Sequence, residues 1–381
     1  MKLMIVVGTR PEIIKMASVI EACDKFKVDY TLVHTDQHFD ENMSEVFITE
    51  LGIGRPDYHL SVGSGYHGVQ TGKALAKLER VIMEDSPDMV FVQGDTNTVL
   101  AGGLAAAKLG VPVGHVEAGL RHFDLRVPEE QNRRLVDHIS SLLFAPTRQA
   151  CTNLLNESVL GRTYVTGNTV IDACNRYVPL AEKKSKVMST VRSKSFALVT
   201  IHRAENVDNR SQLSGLMDIL TNNATPVVFP IHPRTVMRLK RYGLYSRVMN
   251  SDRIQTIPAV GYFDFLVLMK NCEYILTDSG GIQEEATSPS IRKFVFVLRD
   301  NTDRPESVDA GFAEVVGTNP RRVLHAIERQ MAVGWKCRGR CPFGNGKAGE
   351  KIVRATMDAY KRGSYGVPCK SSKLGQSHLA R

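Results

Sequence analysis

Met89-Val90-Phe91-Val92-Gln93-Gly94-Asp95-Thr96-Asn97-Thr98 decides the fold. An apolar run the length of one buried strand breaks at a glycine into polar residues, and a helical pattern follows over Val99–Leu109. The same order recurs twice. His115-Val116-Glu117-Ala118-Gly119-Leu120-Arg121 follows Val111-Pro112-Val113-Gly114, and Thr277-Asp278-Ser279-Gly280-Gly281-Ile282-Gln283-Glu284-Glu285 follows Tyr274-Ile275-Leu276. In an open parallel sheet the carboxyl ends of the strands rim a crevice in which ligands bind. Carboxylates, a histidine and a glycine-rich helix start are therefore expected at one cleft, a set that suits a phosphate-bearing ligand and acid–base chemistry.

Working outward, strand and helix patterns alternate. Leu3–Val7 leads to a helix over Glu12–Lys25, Tyr30–His34 to one over Glu41–Leu51, Val113–Val116 to one over Glu129–Ser141, and Leu142–Ala145 to one over Arg148–Glu157. This rhythm predicts an α/β protein with parallel sheets covered on both faces. At 381 residues the chain exceeds one core, so two Rossmann-like domains are expected. The charged stretch Glu182–Met188 reads as the connection, and a second series follows at Phe196–Thr200, Pro226–Pro230, Ile254–Ile257, Tyr274–Thr277 and Phe294–Leu298. Two helices, Arg321–Val333 and Ala348–Lys361, precede a Gly-, Ser- and Lys-rich tail over 364–381 that reads as disordered. The expected domains are 1–175 and 190–346.

Composition removes several classes. No apolar run reaches the roughly 18 residues of a membrane span, and Met1–Val7 is too short for a signal-peptide core, so a cytoplasmic protein is expected. Seven cysteines at 23, 151, 174, 272, 337, 341 and 369 form no framework and read as reduced thiols. No Cys or His spacing supports a metal. The formal charge of +9 suits an anionic small ligand, and no nucleic-acid-binding motif accompanies it. Gly63-Ser64-Gly65-Tyr66-His67-Gly68 and Gly344-Asn345-Gly346-Lys347-Ala348-Gly349 match G-x-G-x-x-G but lack the strand and the spaced acid of a dinucleotide site, and no P-loop occurs.

Several residues are candidates for chemistry. Ser279, Gly280 and Gly281 open a helix after a strand, where backbone N–H groups can hold phosphate oxygens; an ordinary turn is an equal rival. Glu285, one turn on, suits ribose hydroxyls. Arg10 and Lys15 flank the first helix start, within reach of a phosphate or simply solvated beside Pro11. Asp95, Glu117 and Glu129 are the acid–base candidates. Capping explains Asp95 or Glu129 taken alone, but not three acids at one rim. His202 and His232 follow equivalent strands of the second series and lean towards ligand contact.

Taken together, Gly8–Glu12, Gln93–Thr98, His115–Arg121, Pro128–Arg133, Gly167-Asn168-Thr169, Thr277–Glu285 and Arg299–Glu306 make the chain resemble the non-hydrolysing UDP-N-acetylglucosamine 2-epimerases over roughly residues 1–360. The resemblance implies a GT-B-like fold with the active site in the interdomain cleft and a last helix, about 347–362, returning to the first domain. It implies acid–base roles for Asp95, Glu117 and Glu129 and catalytic importance for His202. Nucleotide or phosphate contact is implied for Arg10, Lys15, Arg133, His232, Ser279, Gly280, Gly281, Glu285 and Arg304, with Phe265 near the uracil. Gln37 and His38 match a segment tied to a second, activating sugar nucleotide, and a homodimer is implied. The chemistry needs no metal or redox cofactor. One departure stands out: where the family runs Ala-Pro-Ser-Leu-Gly-Lys-Pro-Val after the glutamate, this chain reads Ala286-Thr287-Ser288-Pro289-Ser290-Ile291-Arg292-Lys293-Phe294, two residues longer. Alternatives are the same chemistry on a UDP-2,3-diacetamido uronic acid, a hydrolysing 2-epimerase, a GT-B glycosyltransferase and a sugar-nucleotide sensor.

Overall fold

The computed structural model of the chain describes residues 1–37, 51–334, 337 and 339–363. The expected helix over Glu41–Leu51, all but its last residue, and the 364–381 tail lie outside them. The chain divides into two compact units: Met1–Thr166 together with the segment from Gly349 onward, and Gly167–Ala348.

In unit 1 the strands are β1 (Lys2–Val7), β2 (Asp29–His34), β3 (Tyr58–His59), β4 (Met89–Gln93), β5 (Val113–Val116), β6 (Leu142–Ala145) and β7 (Arg162–Val165). They form one sheet in the order β3-β2-β1-β4-β5-β6-β7, with every pairing parallel. The central strands are buried along their length, save Lys2 at the start of β1, which is why they read as unbroken apolar runs and not as alternations. The helix Ala348–Lys361 packs here, through Lys25 Nζ to Glu350 Oε1 (2.5 Å), Lys351 Nζ to the Thr166 carbonyl (3.1 Å) and Arg354 stacked 4.3 Å from the Phe26 ring centroid.

In unit 2 the strands are β8 (Ala197–Thr200), β9 (Val227–Ile231), β10 (Ile254–Pro258), β11 (Tyr274–Thr277), β12 (Phe294–Val297) and β13 (Ala313–Val315). Their order is β10-β9-β8-β11-β12-β13, again all parallel. Pro230 lies inside β9, but the pairing with β8 stops at Val228, so its missing N–H leaves no gap in that ladder. A core of Phe229, Tyr274, Phe294 and Phe296 with Leu216, Leu220 and Leu276 holds this sheet to its helices.

The division between units falls ahead of the helix Thr169–Lys184, not in the charged Glu182–Met188 stretch. That helix buries Val170, Ile171, Cys174, Tyr177 and Val178, and Tyr177 packs 5.8 Å from the Phe263 ring, all inside unit 2. The charged residues are its solvated last turn and the one turn of 3-10 helix after it. In the longer segment after Glu285, the Ser288 and Ser290 hydroxyls donate to Asn175 Oδ1 (3.1 and 2.9 Å), and Arg292 takes a left-handed φ of 51° before β12 begins.

Candidate active site

Each sheet reverses strand order once among the described strands, at β1/β4 in unit 1 and β8/β11 in unit 2. Ligands of open α/β sheets bind at such switch points. Gly8–Arg10 and Gly94–Asp95 flank the first, and His202 and Asp278–Ser279 flank the second.

At the unit 1 switch point Gly94 adopts φ 85°, which a Cβ would disfavour, and delivers Asp95 outside the helix. Thr96, not Asp95, caps that helix, its Oγ1 accepting from Val99 N–H (3.4 Å). Asp95 is thus spared the local role that would explain it away. Its carboxylate is part-exposed (30%) and pairs with the buried Arg133 guanidinium. The Asn132 amide donates to the Asp95 carbonyl (2.9 Å).

Glu117 follows β5 with φ 71°, a left-handed conformation that is costly for glutamate. Its buried carboxylate meets Lys15 Nζ at 2.5 Å. Lys15 therefore stands beside an acid-base candidate. Arg133 does too, between Asp95 and Glu130. Glu129 is exposed in the first turn of the helix Pro128–Ile139, and Arg10 is half-buried at the start of the first helix.

His115, expected at the cleft, is fully buried. Its Nδ1 lies 2.7 Å from Asp137 Oδ1 and its Nε2 2.8 Å from the Gly94 carbonyl. The ring fixes the Gly94 turn from behind, because apolar strands on either side leave it no route to the rim. Asp137 also binds Arg121 (2.7 Å) and the Gly119 N–H (3.2 Å).

Two further acids were not singled out from the sequence. Glu12 accepts from the Gly8 N–H (2.7 Å) and Thr9 Oγ1 (2.9 Å). Burial, reinforced by the charge of nearby Asp95 against the donors around it, pushes its carboxyl up to about 7. The Thr9-x-x-Glu12 spacing of a capping box was the available signal. Glu130 is fully buried and accepts from His122 N–H (2.8 Å), Phe123 N–H (3.3 Å), Arg133 (3.2 Å) and Arg134 (2.9 Å), shaping the loop before its own helix.

At the unit 2 switch point the rim carries exposed histidines. The rings of His202 and His232 lie 6.2 Å apart. His232 Nδ1 accepts from the Arg234 N–H (3.2 Å), which leaves the proton on Nε2, pointing away from its own helix start. Burial, then the neighbouring His202 and Arg234, lowers its pKa, so the neutral donor form is favoured.

Beneath them Asp278 is fully buried. It accepts from the His202 N–H (3.1 Å), the Arg203 N–H (3.0 Å) and Asn206 Nδ2 (3.0 Å), with His202 Nδ1 at 3.3 Å from its other oxygen. Ser279 precedes the helix Gly280–Ala286, and its N–H donates to Thr277 Oγ1 (3.0 Å). A Cβ on Gly280 would stand 3.1 Å from Asp303 Oδ1, whereas Gly281 faces open space. Arg304 is buried, bound to Glu284 and to Asp303 Oδ2 (3.1 Å). Glu284 also accepts from Asn168 (3.1 Å), tying the Asn168 cap to this corner. Glu285 is half-buried near Cys174 and Tyr262, and Phe265 is half-buried on the helix Tyr262–Asn271.

Gln37 is buried in unit 1, its Oε1 accepting from the Thr98 N–H (3.1 Å) and hydroxyl (2.8 Å). His38 lies outside the described residues. No helix among those described is long and apolar enough to cross a membrane.

Comparison with known proteins agrees with this layout. A family model described as UDP-N-acetylglucosamine 2-epimerase matches residues 21–357. The UDP-N-acetylglucosamine 2-epimerase of Methanocaldococcus jannaschii is 48% identical over 363 residues, spanning 93% of this chain and 98% of its own. The UDP-2,3-diacetamido-2,3-dideoxy-D-glucuronate 2-epimerase of Pseudomonas aeruginosa is 38% identical, over 93% of this chain and 98% of its own. The crystal structure of the Methanocaldococcus jannaschii UDP-GlcNAc 2-epimerase in complex with UDP-GlcNAc and UDP superimposes with a TM-score of 0.86 at 47% identity, covering 94% of this chain and all of that one. With two parallel-sheet α/β units of GT-B-like type and a match over most of its length, the chain belongs to the UDP-N-acetylglucosamine 2-epimerase family.

Proposed function

We propose that the chain interconverts UDP-N-acetylglucosamine and UDP-N-acetylmannosamine by inverting C2, as a cytoplasmic isomerase that retains UDP. The C2 proton has no adjacent carbonyl and does not leave unaided. As the C1–O bond to UDP breaks, positive charge grows at C1 and acidifies C2–H. A carboxylate takes that proton, the C2–H pair becomes the C1=C2 bond of a 2-acetamidoglucal, and the C1–O pair departs with UDP. A proton delivered to the opposite face of C2 and attack of the UDP oxygen on C1 complete the inversion. Asp95, Glu117 and Glu129 serve the proton transfers. Arg10, His232, Ser279, Gly280, Gly281 and Arg304 stabilise the departing diphosphate, with His202 beside them, Glu285 on the ribose and Phe265 at the uracil. Lys15 and Arg133 belong to the acid–base side in this reading, since each contacts a proposed catalytic carboxylate.

The observation that carries the reading is Asp95. It is a part-exposed carboxylate at the β1/β4 switch point, relieved of capping by Thr96 and paired with Arg133. The same reading includes a homodimer and a second UDP-sugar acting as activator near Gln37, whose contact with Thr98 reaches the helix that starts beside Asp95. Incubation with UDP-N-acetylglucosamine, followed by chromatography, tests the function. UDP-N-acetylmannosamine with no net release of UDP supports it. Free N-acetylmannosamine plus UDP identifies a hydrolysing enzyme, and turnover only of a UDP-2,3-diacetamido uronic acid moves the substrate to that class.

A further inference from the structure

Three side chains with metal-binding atoms meet at the β3 edge of the unit 1 sheet. β2 and β3 pair in register with His34 opposite His59. Partners on adjacent strands share a face about 5 Å apart, and these two rings stand 5.8 Å apart in a T-shaped arrangement. Two residues past His34 the chain turns back at Asp36, whose φ of 54° is left-handed. The turn is pinned on both sides: Asp36 Oδ2 accepts from the Ser61 N–H (3.0 Å) and its carbonyl from the Gly63 N–H (3.0 Å). The remaining oxygen, Oδ1, faces Nδ1 of both rings, in contact with His34 and 3.4 Å from His59. One ligand atom from each of the three residues lies within 4.8 Å of the others.

We propose that His34, Asp36 and His59 form a binding site for one divalent transition-metal ion of the zinc class, which clips the two-residue edge strand β3 onto β2. The donor set is two imidazoles and one carboxylate, the nitrogen–oxygen mixture and single negative charge that such ions take from three protein ligands. In a tetrahedral site with bonds of about 2.0–2.1 Å, neighbouring ligand atoms stand about 3.3 Å apart; the His59–Asp36 spacing of 3.4 Å is close to this. Exposure rises from His34 (3%) through Asp36 (18%) to His59 (45%), so the three ligands close the protein side and leave the fourth position towards water. A two-residue strand is marginal without such a tie. His59 follows Asp36 by 23 residues, which hid the set from any reading of local spacing; strand register assembles it.

The full-length protein, stripped with a chelator, is titrated with Zn²⁺ and with Co²⁺ by calorimetry, and its metal content is measured after dialysis. One ion per chain is expected, with Co²⁺ giving the intense visible bands of a low-coordinate site. His59→Ala, at an exposed position, should bind at least about ten-fold more weakly, since loss of a residue that merely orients a ligand costs that much. His59→Cys should restore binding with a thiolate-to-cobalt band. Circular dichroism confirms that each variant is folded. Failure of the wild-type protein to take up a stoichiometric ion would reduce the trio to a hydrogen-bonded cluster and overturn the proposal. Equal binding by His59→Ala would place the ion elsewhere and overturn it as well.

Discussion

The carboxyl edges of the two sheets carry opposite arrangements of the same side-chain types. In unit 1 both acids are paired with cations, the part-exposed Asp95 with Arg133 and the buried Glu117 with Lys15. In unit 2 the acids lie underneath. Asp278 and Glu284 are fully buried, while His202, which Asp278 contacts, and His232 are exposed. An adjacent cation favours the charged form of a carboxylate over the neutral one. A diphosphate site needs donors facing outward with negative charge withdrawn from the surface. Under the proposed function, two sheets of similar topology do different work through the residues that follow their strands.

The sharpest way to break this contrast is Asp95→Asn. General acid–base groups contribute roughly 10²–10⁴-fold, so kcat should fall about 10³-fold, equivalent to about 4 kcal/mol. The affinity for UDP, measured by calorimetry, should stay within about three-fold. A comparable loss in both would erase the division of labour.

Arg304→Met should act chiefly on stability. It strands the buried Glu284 carboxylate, and breaking a buried pair from one side costs about 3 kcal/mol or more. Urea unfolding checks this, with UDP binding weakened alongside.

Glu12 supplies a pH test within unit 1. Its folded value of about 7 lies above the ordinary glutamate value of 4.5. The unfolded chain therefore loses this proton first as pH rises. The stability Glu12 contributes is full below about pH 4.5, declines through the window between the two values, and is gone above about pH 7, a span worth up to about 3 kcal/mol. Glu12→Gln should reduce the fall in unfolding free energy between roughly pH 5 and pH 8 by about that amount; an unchanged profile would mean that burial does not hold the proton on Glu12.

The smallest effect concerns unit 2. His232→Ala removes one neutral donor, and UDP should bind about ten-fold more weakly, near the 1.5 kcal/mol of a hydrogen bond to a charged group. Elimination should slow by a similar factor, because His232 is assigned to the departing diphosphate, while solvent exchange at C2 still occurs.

Much of this was legible beforehand. β4, β5, β6 and β11 fall where their apolar runs end, because strands buried on both faces have no other composition open to them. Asp95 and Glu117 were visible for the same reason: polar residues at the end of such a run have few structural uses. The edge strand β10 was read as Ile254–Ile257, but the edge strands β7 and β13 escaped notice. β7 is Arg162-Thr163-Tyr164-Val165, half-exposed, and carries no alternation to detect. The helix His67–Asp85 buries only Gln70, Ala74, Leu78, Val81 and Ile82, a narrow stripe in a polar segment. His115 misled because a histidine after a strand looks the same whether it faces solvent or clamps the turn from inside. The supporting acids Glu130, Asp137 and Asp278 are defined by partners far along the chain, such as Gly94–His115–Asp137, and no local pattern announces them.

The central claim is that the unit 1 acids move the C2 proton while unit 2 holds UDP. The most direct measurement is the proton spectrum of UDP-N-acetylglucosamine in deuterated water with wild type and Asp95→Asn side by side. The account predicts deuterium at C2 of both epimers with wild type, and loss of that exchange in the variant while UDP still binds. Epimerisation that keeps the original C2 proton, or undiminished exchange in Asp95→Asn, would contradict it.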